Sequence, residues 1–246
     1  MSLWLLGTSG AVPDPRRDYV SLVVEDAGRL ILIEAGGSPF HRLGRMGLDP
    51  MRLEGVFLSH RHPDHLSGLP VLLMGLWLQR RARPLWIAGP EDTLERARAL
   101  LELFEWRSWN GMFPVNWRPI PLEPGAVVET TGGIRLITAP VSHSVPTLAI
   151  RIELPEGVAV YSADTEPCPE LIRLARGADV LIHEATGSYP GHTPPERAGW
   201  VAREASVRRL VLVHVPPEVD EEEWKTRARE AFEGPVEIGW DGMRVL

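Results

Sequence analysis

The sequence predicts an α/β protein: a four-layer αββα sandwich in which two mixed β-sheets pack face to face and helices cover both outer faces. Two observations support this prediction. In the first part of the chain, short apolar runs follow one another closely, as the strands of hairpins do, whereas in the later part such runs alternate with amphipathic helical patterns. Both patterns in one chain are typical of mixed sheets with helices on the outside.

The predicted strands are apolar runs, rich in leucine and β-branched residues, that end at turn-forming residues. They lie at 3–7, 19–25, 29–35, 55–59, 84–89, 126–130, 134–140, 147–154, 158–164, 179–185 and 210–215. Besides a helix over 66–77, four helices are predicted, at 91–105, 168–176, 194–206 and 220–232. In the third of these four, alanine and valine recur at the i, i+3, i+4 and i+7 positions 198, 201, 202 and 205, which is the pattern of a buried helix face.

Length and composition are those of an ordinary globular chain. The sequence has 246 residues, of which 44% are hydrophobic and 24% are charged. No composition shift or internal repeat divides it, so residues 1–246 are expected to form a single domain. The first residues lack the basic leader of a signal peptide, and the longest apolar run, at 68–78, falls short of the roughly 20 residues that span a bilayer. We therefore expect a cytoplasmic protein with no membrane partner.

Cysteine content and net charge exclude several classes of site. Cys168 is the single cysteine, which excludes an internal disulfide framework and a multi-cysteine zinc site. A metal ion would therefore have to be held by histidine and carboxylate. The formal net charge of -7 argues against broad, non-specific binding of nucleic acid, and no DNA partner is expected.

A dense cluster of histidines follows the predicted strand at 55–59. His60, His62, Asp64 and His65 lie within the run HRHPDH, although the whole chain has only eight histidines. In an extended segment the side chains of His60 and His62 point the same way, so they can bind one ion, while Asp64 and His65 turn toward a second. The spacing therefore predicts two half-sites, each of which needs further ligands.

Three more candidate ligands stand at the ends of apolar runs. His143 follows the strand at 134–140, Asp164 ends the strand at 158–164, and His214 lies near the end of the last strand. A single histidine at a strand end is more often a satisfied structural residue than a ligand. The combination favours a metal site, because unpaired imidazoles and carboxylates at buried strand ends are costly.

These residues resemble the successive metal motifs of the metallo-β-lactamase superfamily. Longer stretches are similar to its ribonuclease Z branch: GTSGAVPDPRRDYVS, SADTEPCPELIRLARGADVLIHEAT and GHTPPERAGWVAREASVRRLVLVH. The resemblance covers nearly the whole chain. It implies the metallo-β-lactamase fold and two divalent metal ions, with zinc expected and manganese as the alternative.

The resemblance also implies a role for each candidate residue. One ion would be held by His60, His62 and His143, the other by Asp64, His65 and His214, and Asp164 would bridge them. Asp64 would lie beside the nucleophile and accept a proton from it. Glu184 and His192 would form a pair near the scissile phosphate, with His192 as acid or transition-state stabiliser. Members of this type are commonly homodimers, so a homodimer is expected.

The implied function is that of a binuclear-zinc phosphodiesterase or endoribonuclease that cuts an RNA 3′ end or a small phosphodiester. A second possibility is another hydrolase on the same fold, cleaving a thioester, lactone or β-lactam. The HEAT and GHT elements count against it, since those reactions need no second acid near a phosphoryl leaving group. A third is a non-catalytic binding protein stabilised by metal. Seven candidate ligands count against that, because structural zinc sites need about four.

Three departures from the family pattern bear on the substrate. Only 20 residues separate His143 from Asp164, and two predicted strands occupy them. They leave no room for the tRNA-binding arm that ribonuclease Z enzymes of the long-studied bacterial type carry there. Glu34 stands where the family usually has aspartate, and His192 begins HTP in place of HST. The substrate therefore stays open between a tRNA precursor and a small phosphodiester.

Overall fold

The first of two mixed sheets is built from the amino-terminal half of the chain. The computed structural model describes residues 1–128 and 134–246, and within them this sheet has its six strands in chain order. They are β1 (Ser2–Gly7), β2 (Ser21–Asp26), β3 (Arg29–Ile33), β4 (Leu53–Phe57), β5 (Leu85–Gly89) and β6 (Val115–Pro119). The pairings β1–β2 and β2–β3 are antiparallel, and the others are parallel.

The second sheet has the reverse arrangement, with antiparallel pairs first and parallel pairs last. Its strands are β7 (Ala126–Val128), β8 (Arg135–Pro140), β9 (Leu148–Leu154), β10 (Gly157–Tyr161), β11 (Val180–Glu184), β12 (Arg209–Val213) and β13 (Val236–Ile238). They lie side by side in chain order. Strands β7 to β10 pair antiparallel, and β10 to β13 pair parallel.

Helices cover the outer face of each sheet. Over the first sheet lie α1 (Pro39–Arg45), α2 (Pro63–Leu66), α3 (Leu69–Leu78) and α4 (Glu91–Glu102), and over the second lie α5 (Pro169–Ala175), α6 (Pro195–Glu204) and α7 (Glu221–Arg229). In the parts of the chain that the structure describes, no helix is both long enough and apolar enough to cross a membrane.

The inner faces of the two sheets share one core. Phe57 of β4 packs in the same buried cluster as Ile150 of β9 and Tyr161 of β10. The next residue back, Val56, packs on the opposite face against the helical layer that includes Leu72 of α3. This reversal from one residue to the next follows from the two-residue period of a strand. The predicted four-layer αββα arrangement is therefore confirmed.

Three elements of the structure are not predicted from the sequence. Helix α1 is short and follows two glycines, β13 has three residues, and β6 is an edge strand with exposed polar positions. Each of these carries too few apolar residues to produce a clear periodicity. The strand predicted at 126–130 includes two residues, 129 and 130, that lie outside the described residues.

The tryptophan-rich segment 104–117 packs against the helical side of the first sheet. Trp106 and Phe113 are buried in that layer. Trp109 lies against Trp77 with 5.2 Å between ring centroids, and the Trp77 indole donates a hydrogen bond to the carbonyl of Asn110. The sequence alone leaves three roles open for this segment, namely the pocket mouth, an oligomer contact and packing; the structure shows these aromatic rings as part of a packed layer.

The strands that precede the candidate site residues end at one edge of the sandwich. β4, β8, β10 and β12 lead directly to His60, His143, Asp164 and His214, respectively. Backbone hydrogen bonds tie the two sheets together at this edge, from the amide of Leu148 to the carbonyl of Ser59 and from the amide of His214 to the carbonyl of Thr8. The loops that carry the candidate residues therefore meet.

The backbone at Gly36 lies directly against the backbone of the histidine-rich segment at Asp64. The amide of Ala35 donates to the carbonyl of His65, and the amide of Gly68 donates to the carbonyl of Ala35. A Cβ atom at Gly36 would lie 1.7 Å from the carbonyl oxygen of Asp64. Only glycine therefore lets the chain after β3 lie against α2.

We predict that Gly36→Ala lowers the free energy of unfolding by about 1–3 kcal/mol, because the backbone must move to admit the methyl group. The measurement is chemical denaturation of the metal-free protein. The matched control is Gly44→Ala in α1, where no atom lies within 4 Å of the added Cβ. That change should be neutral or should stabilise the helix by up to about 1 kcal/mol. Equal stability of the two variants would contradict the close approach.

Candidate metal centre

Two adjacent clusters contain all seven predicted metal ligands. The first cluster is His60, His62, His143 and Asp164, and the second cluster is Asp64, His65, Asp164 and His214. Within each cluster, every residue offers a nitrogen or oxygen atom within 4.8 Å of the others. Asp164 belongs to both clusters. A carboxylate in this position can contact two ions at once.

Imidazole nitrogens face one another in the first cluster. His62 Nδ1 lies 3.0 Å from His60 Nε2 and 3.1 Å from His143 Nε2. The opposite nitrogens already have partners, because His60 Nδ1 lies 2.9 Å from the hydroxyl of Ser59 and His143 Nδ1 donates to the carbonyl of Gly191 at 2.8 Å. Hydrogen bonding of the second nitrogen in this way orients a histidine whose first nitrogen binds a metal.

The second cluster contains buried polar atoms without hydrogen bonds. His65 is fully buried, and within the described part of the chain neither of its ring nitrogens has a hydrogen-bond partner. The same holds for Asp164 Oδ1, which lies 3.5 Å from His65 Nε2. Unpaired buried polar atoms are costly, and their convergence on one point is expected where they coordinate a cation. The donors present therefore fit a divalent metal ion.

The electrostatics favour the ionised form of Asp164 and the neutral form of His60. Burial raises the pKa of Asp164, but the charges of His214 and His65 outweigh it, so the pKa lies well below its ordinary value. Burial and the neighbouring His65 lower the pKa of His60 well below that of a free imidazole. Asp164 is therefore ionised and His60 is neutral, as coordination requires.

Glu34 lies beside His65, on the side of the ring that faces away from the cluster. Burial lowers the pKa of His65, but Asp164 and Glu34 outweigh it, so the pKa is raised well above its ordinary value. Glu34 is fully buried, and its Oε1 lies 3.5 Å from His65 Nδ1. Its Oε2 accepts a hydrogen bond from the amide of Ser59 at 3.2 Å. Glutamate in place of the family's aspartate therefore still lies beside the candidate ligand His65.

Glu184 and His192 form the predicted pair beside the first cluster. His192 Nδ1 lies 3.2 Å from Glu184 Oε1, and Glu184 is fully buried at the end of β11. Burial lowers the pKa of His192, but the hydrogen bond and charge of Glu184 outweigh it, so the pKa is raised. The His192 ring lies 5.1 Å from that of His143 between centroids. A histidine with a raised pKa therefore stands at the edge of the two clusters.

Several supporting groups are not recognised from the sequence. The hydroxyls of Ser59 and Thr186 contact His60 and His214, and the carbonyl of Gly191 contacts His143. A backbone carbonyl leaves no sequence signal. Thr186 lies in the HEAT run, so its position beside Glu184 is the one available signal.

Comparisons with known proteins agree with this geometry. A family model described as a beta-lactamase superfamily domain matches residues 29–215. The chain is 32% identical over 268 residues to ribonuclease Z from Mycobacterium sp. (strain KMS), and the alignment covers 98% of this chain and 94% of that protein. The chain belongs to the ribonuclease Z family of the β-lactamase superfamily.

Solved structures show the same fold as this ribonuclease Z family member. The metallo-beta-lactamase fold protein YhfI from Bacillus subtilis has a TM-score of 0.83 and 22% identity, with 99% of this chain and 98% of that chain covered. The short form of human tRNase Z has a TM-score of 0.81 and 22% identity, with 100% of this chain and 99% of that chain covered. The family resemblance and fold class predicted from the sequence are confirmed.

The segment between His143 and Asp164 forms a plain hairpin in this ribonuclease Z family member. Residues 150–154 of β9 pair with residues 157–161 of β10, and a turn of two residues joins Leu154 to Gly157. All of this segment is described. It contains no inserted arm, as the short spacing in the sequence predicts.

Proposed function

We propose that this ribonuclease Z family member is a binuclear-zinc phosphodiesterase. The observation that supports the proposal is the pair of clusters that share the buried Asp164 beside Glu184 and His192. Two divalent ions would be held as the family resemblance implies: one by His60, His62 and His143, the other by Asp64, His65 and His214, with Asp164 between them. Imidazole and carboxylate donors suit zinc, and manganese is the alternative.

Two bound ions would activate a water molecule and neutralise the charge of the phosphoryl oxygens. The chain's own part begins with Asp64, whose Oδ2 lies 3.3 Å from His214 Nε2. Burial raises the pKa of Asp64, but the hydrogen bond with His214 and the neighbouring His65 outweigh it, so the net pKa is lowered. Asp64 therefore stays ionised, and we assign it to bind metal and to accept a hydrogen bond from the nucleophilic water.

His192 supplies the acid on the leaving-group side. Its Nδ1 is held by Glu184, so Nε2 is the nitrogen that is available to the leaving oxygen. Because Glu184 raises the pKa of His192, the ring holds the proton that the leaving alkoxide requires. The pair disfavours thioester, lactone and β-lactam cleavage, since those reactions do not call for a second acid at a phosphoryl leaving group.

The substrate is a phosphodiester, either at an RNA 3′ end or in a small cyclic or aryl diester. Relatives named ribonuclease Z and tRNase Z support the RNA substrate. The plain hairpin between His143 and Asp164 supports the small diester, because it offers no inserted arm to hold a tRNA. The net charge of -7 gives no reason to expect DNA as a partner.

The first experiment measures metal content and activity together. We predict two zinc or manganese ions per chain, and hydrolysis of a bis-aryl phosphate or a 3′-extended tRNA precursor that stops when the ions are removed. Zinc at about 100 times the dissociation constant of a site should stabilise the metal-free protein by about 2.7 kcal/mol for each ion bound. Thioesterase or lactonase turnover without phosphodiester cleavage would replace the proposed function with the second class of hydrolase. Absence of any metal-dependent turnover would favour a binding protein.

The second experiment separates the acid from the ligands. We predict that His192→Ala lowers kcat by a factor of about 10² or more, the usual contribution of a general acid, and leaves the metal content unchanged. His41→Ala is the matched control, because His41 is exposed on α1 and belongs to neither cluster. Unchanged turnover in the His192 variant would assign that residue a structural role.

An exposed apolar face on α3 supports the proposed homodimer. Val71, Met74 and Leu78 recur at i, i+3 and i+7, and their side chains are exposed although α3 is already buried on its other side. At the end of the adjacent α4, Leu103 and Phe104 are also exposed. An exposed apolar patch of this kind marks an interaction surface, and we assign it to a second copy of the chain.

We predict that Met74→Glu shifts the protein from dimer to monomer at micromolar concentration, because the symmetric interface would bring two carboxylates into apolar surroundings. Analytical ultracentrifugation measures the change. Leu122→Glu is the control, since Leu122 is also exposed but lies in the connection between the two sheets. A dimer that survives the Met74 change would place the interface elsewhere.

We further propose that residues 1–246 form a single cytoplasmic domain. The core shared by the two sheets supports one folding unit, because residues of both halves of the chain pack in the same cluster. Cys168 is free and buried, so nothing in the fold requires an oxidising compartment.

A further inference from the structure

Thr186 stands between the acid pair and the second cluster. Its hydroxyl oxygen lies 2.7 Å from Glu184 Oε2 and 2.7 Å from His214 Nδ1. The opposite nitrogen of the same ring, His214 Nε2, lies 3.3 Å from Asp64 and 3.4 Å from Asp164. One hydroxyl therefore contacts both the buried carboxylate and a residue of the second cluster.

The hydrogen positions follow from the number of donors. A threonine hydroxyl has one hydrogen, and an ionised carboxylate can only accept. Two acceptors face the hydroxyl, Glu184 Oε2 at 2.7 Å and the carbonyl of His214 at 3.2 Å, and it donates to the nearer one, since two lone pairs would otherwise meet at 2.7 Å. The hydroxyl must then accept a hydrogen from His214 Nδ1 for the same reason. With Nδ1 carrying its hydrogen, Nε2 is the nitrogen that His214 offers to the second cluster.

The two oxygens of Glu184 serve different partners. Oε1 accepts from His192 Nδ1 at 3.2 Å and from the amide of Thr193 at 2.9 Å. Oε2 accepts from the amide and the hydroxyl of Thr186 at 2.9 and 2.7 Å. Glu184 is fully buried, so water does not compete for these positions. Glu184 therefore contacts two histidines in different ways. Its Oε1 contacts His192 directly, and its Oε2 is linked to His214 by the hydroxyl of Thr186.

We propose that Thr186 is a positioning residue that links Glu184 to His214 and holds Nε2 of that ring toward the second ion. The inference rests on the proposed function, because it concerns the site of that ion. Without the hydroxyl, His214 loses the acceptor that fixes its ring and its hydrogen. Loss of such a supporting contact lowers metal affinity by about 10–100-fold. The contact of His192 with Oε1 is separate and should remain.

The test compares Thr186→Val, which removes the hydroxyl, with Thr186→Ser, which keeps it. Zinc affinity of the second site is measured by chelator competition, and exchange of the His214 Nδ1 hydrogen with water is followed by nitrogen-15 NMR on the metal-free protein. The valine variant should bind the second zinc about 10–100-fold more weakly and exchange the hydrogen faster, while the serine variant should match the original protein. Thr138→Val is the control, because it removes another buried hydroxyl contact, to the carbonyl of Ala126.

The outcomes distinguish this inference from the proposed function. Unchanged second-zinc affinity and hydrogen exchange in Thr186→Val would overturn the inference and leave the phosphodiesterase proposal intact. Failure of the original protein to bind zinc would overturn the proposed function, whereas the exchange measurement on metal-free protein would still test the contact. Equal losses in Thr186→Val and Thr138→Val would also overturn the inference, since they would indicate a general loss of stability. If the valine variant does not fold, Thr186→Ala is measured against Thr186→Ser in the same way.

Discussion

The fold is organised around one buried carboxylate that several histidines approach. Asp164 is almost fully buried, and His60, His65 and His214 each place a ring nitrogen within 4 Å of its oxygens. Burial of ionisable groups is unfavourable unless charge and coordination compensate for it. A divalent cation would satisfy the atoms that have no hydrogen bond. The surrounding strands must therefore hold these side chains in place even before an ion binds.

Rigid backbone contacts provide that support. The candidate ligands follow strand ends rather than lying in long loops, and amide-to-carbonyl hydrogen bonds cross between the sheets at Ser59 and Thr8. Gly36 lets the turn after β3 lie directly against the backbone of Asp64. Placement on strand ends and short helices restricts ring positions more closely than flexible loops would. The chemistry of the site depends on this restriction, because two clusters must share Asp164 at once.

The second layer of contacts joins the two halves of the proposed mechanism. Glu184 accepts hydrogen bonds from His192 at Oε1 and from Thr186 at Oε2, and Thr186 in turn contacts His214. The proposed acid His192 and the candidate ligand His214 are therefore linked to a single buried carboxylate. Glu184 ends β11, and Thr186 follows two positions later in the HEAT run. Side chains two positions apart in an extended chain point to the same side, so these two residues contact each other while they contact different histidines.

The sequence by itself determined the sandwich and the seven candidate ligands, because strand alternation and polar strand ends are local patterns, whereas the Glu184–His192 pair follows from the resemblance to the ribonuclease Z family. It also determined the short hairpin before Asp164, since the number of residues leaves no room for more. Tertiary structure alone decided the contact of Thr186 with His214 and the contact of Glu34 with His65, and it places Asp164 in both clusters, as the family resemblance implies. These depend on distances between residues far apart in the chain, and on buried hydrogen bonds to groups such as the Gly191 carbonyl that have no side-chain signature.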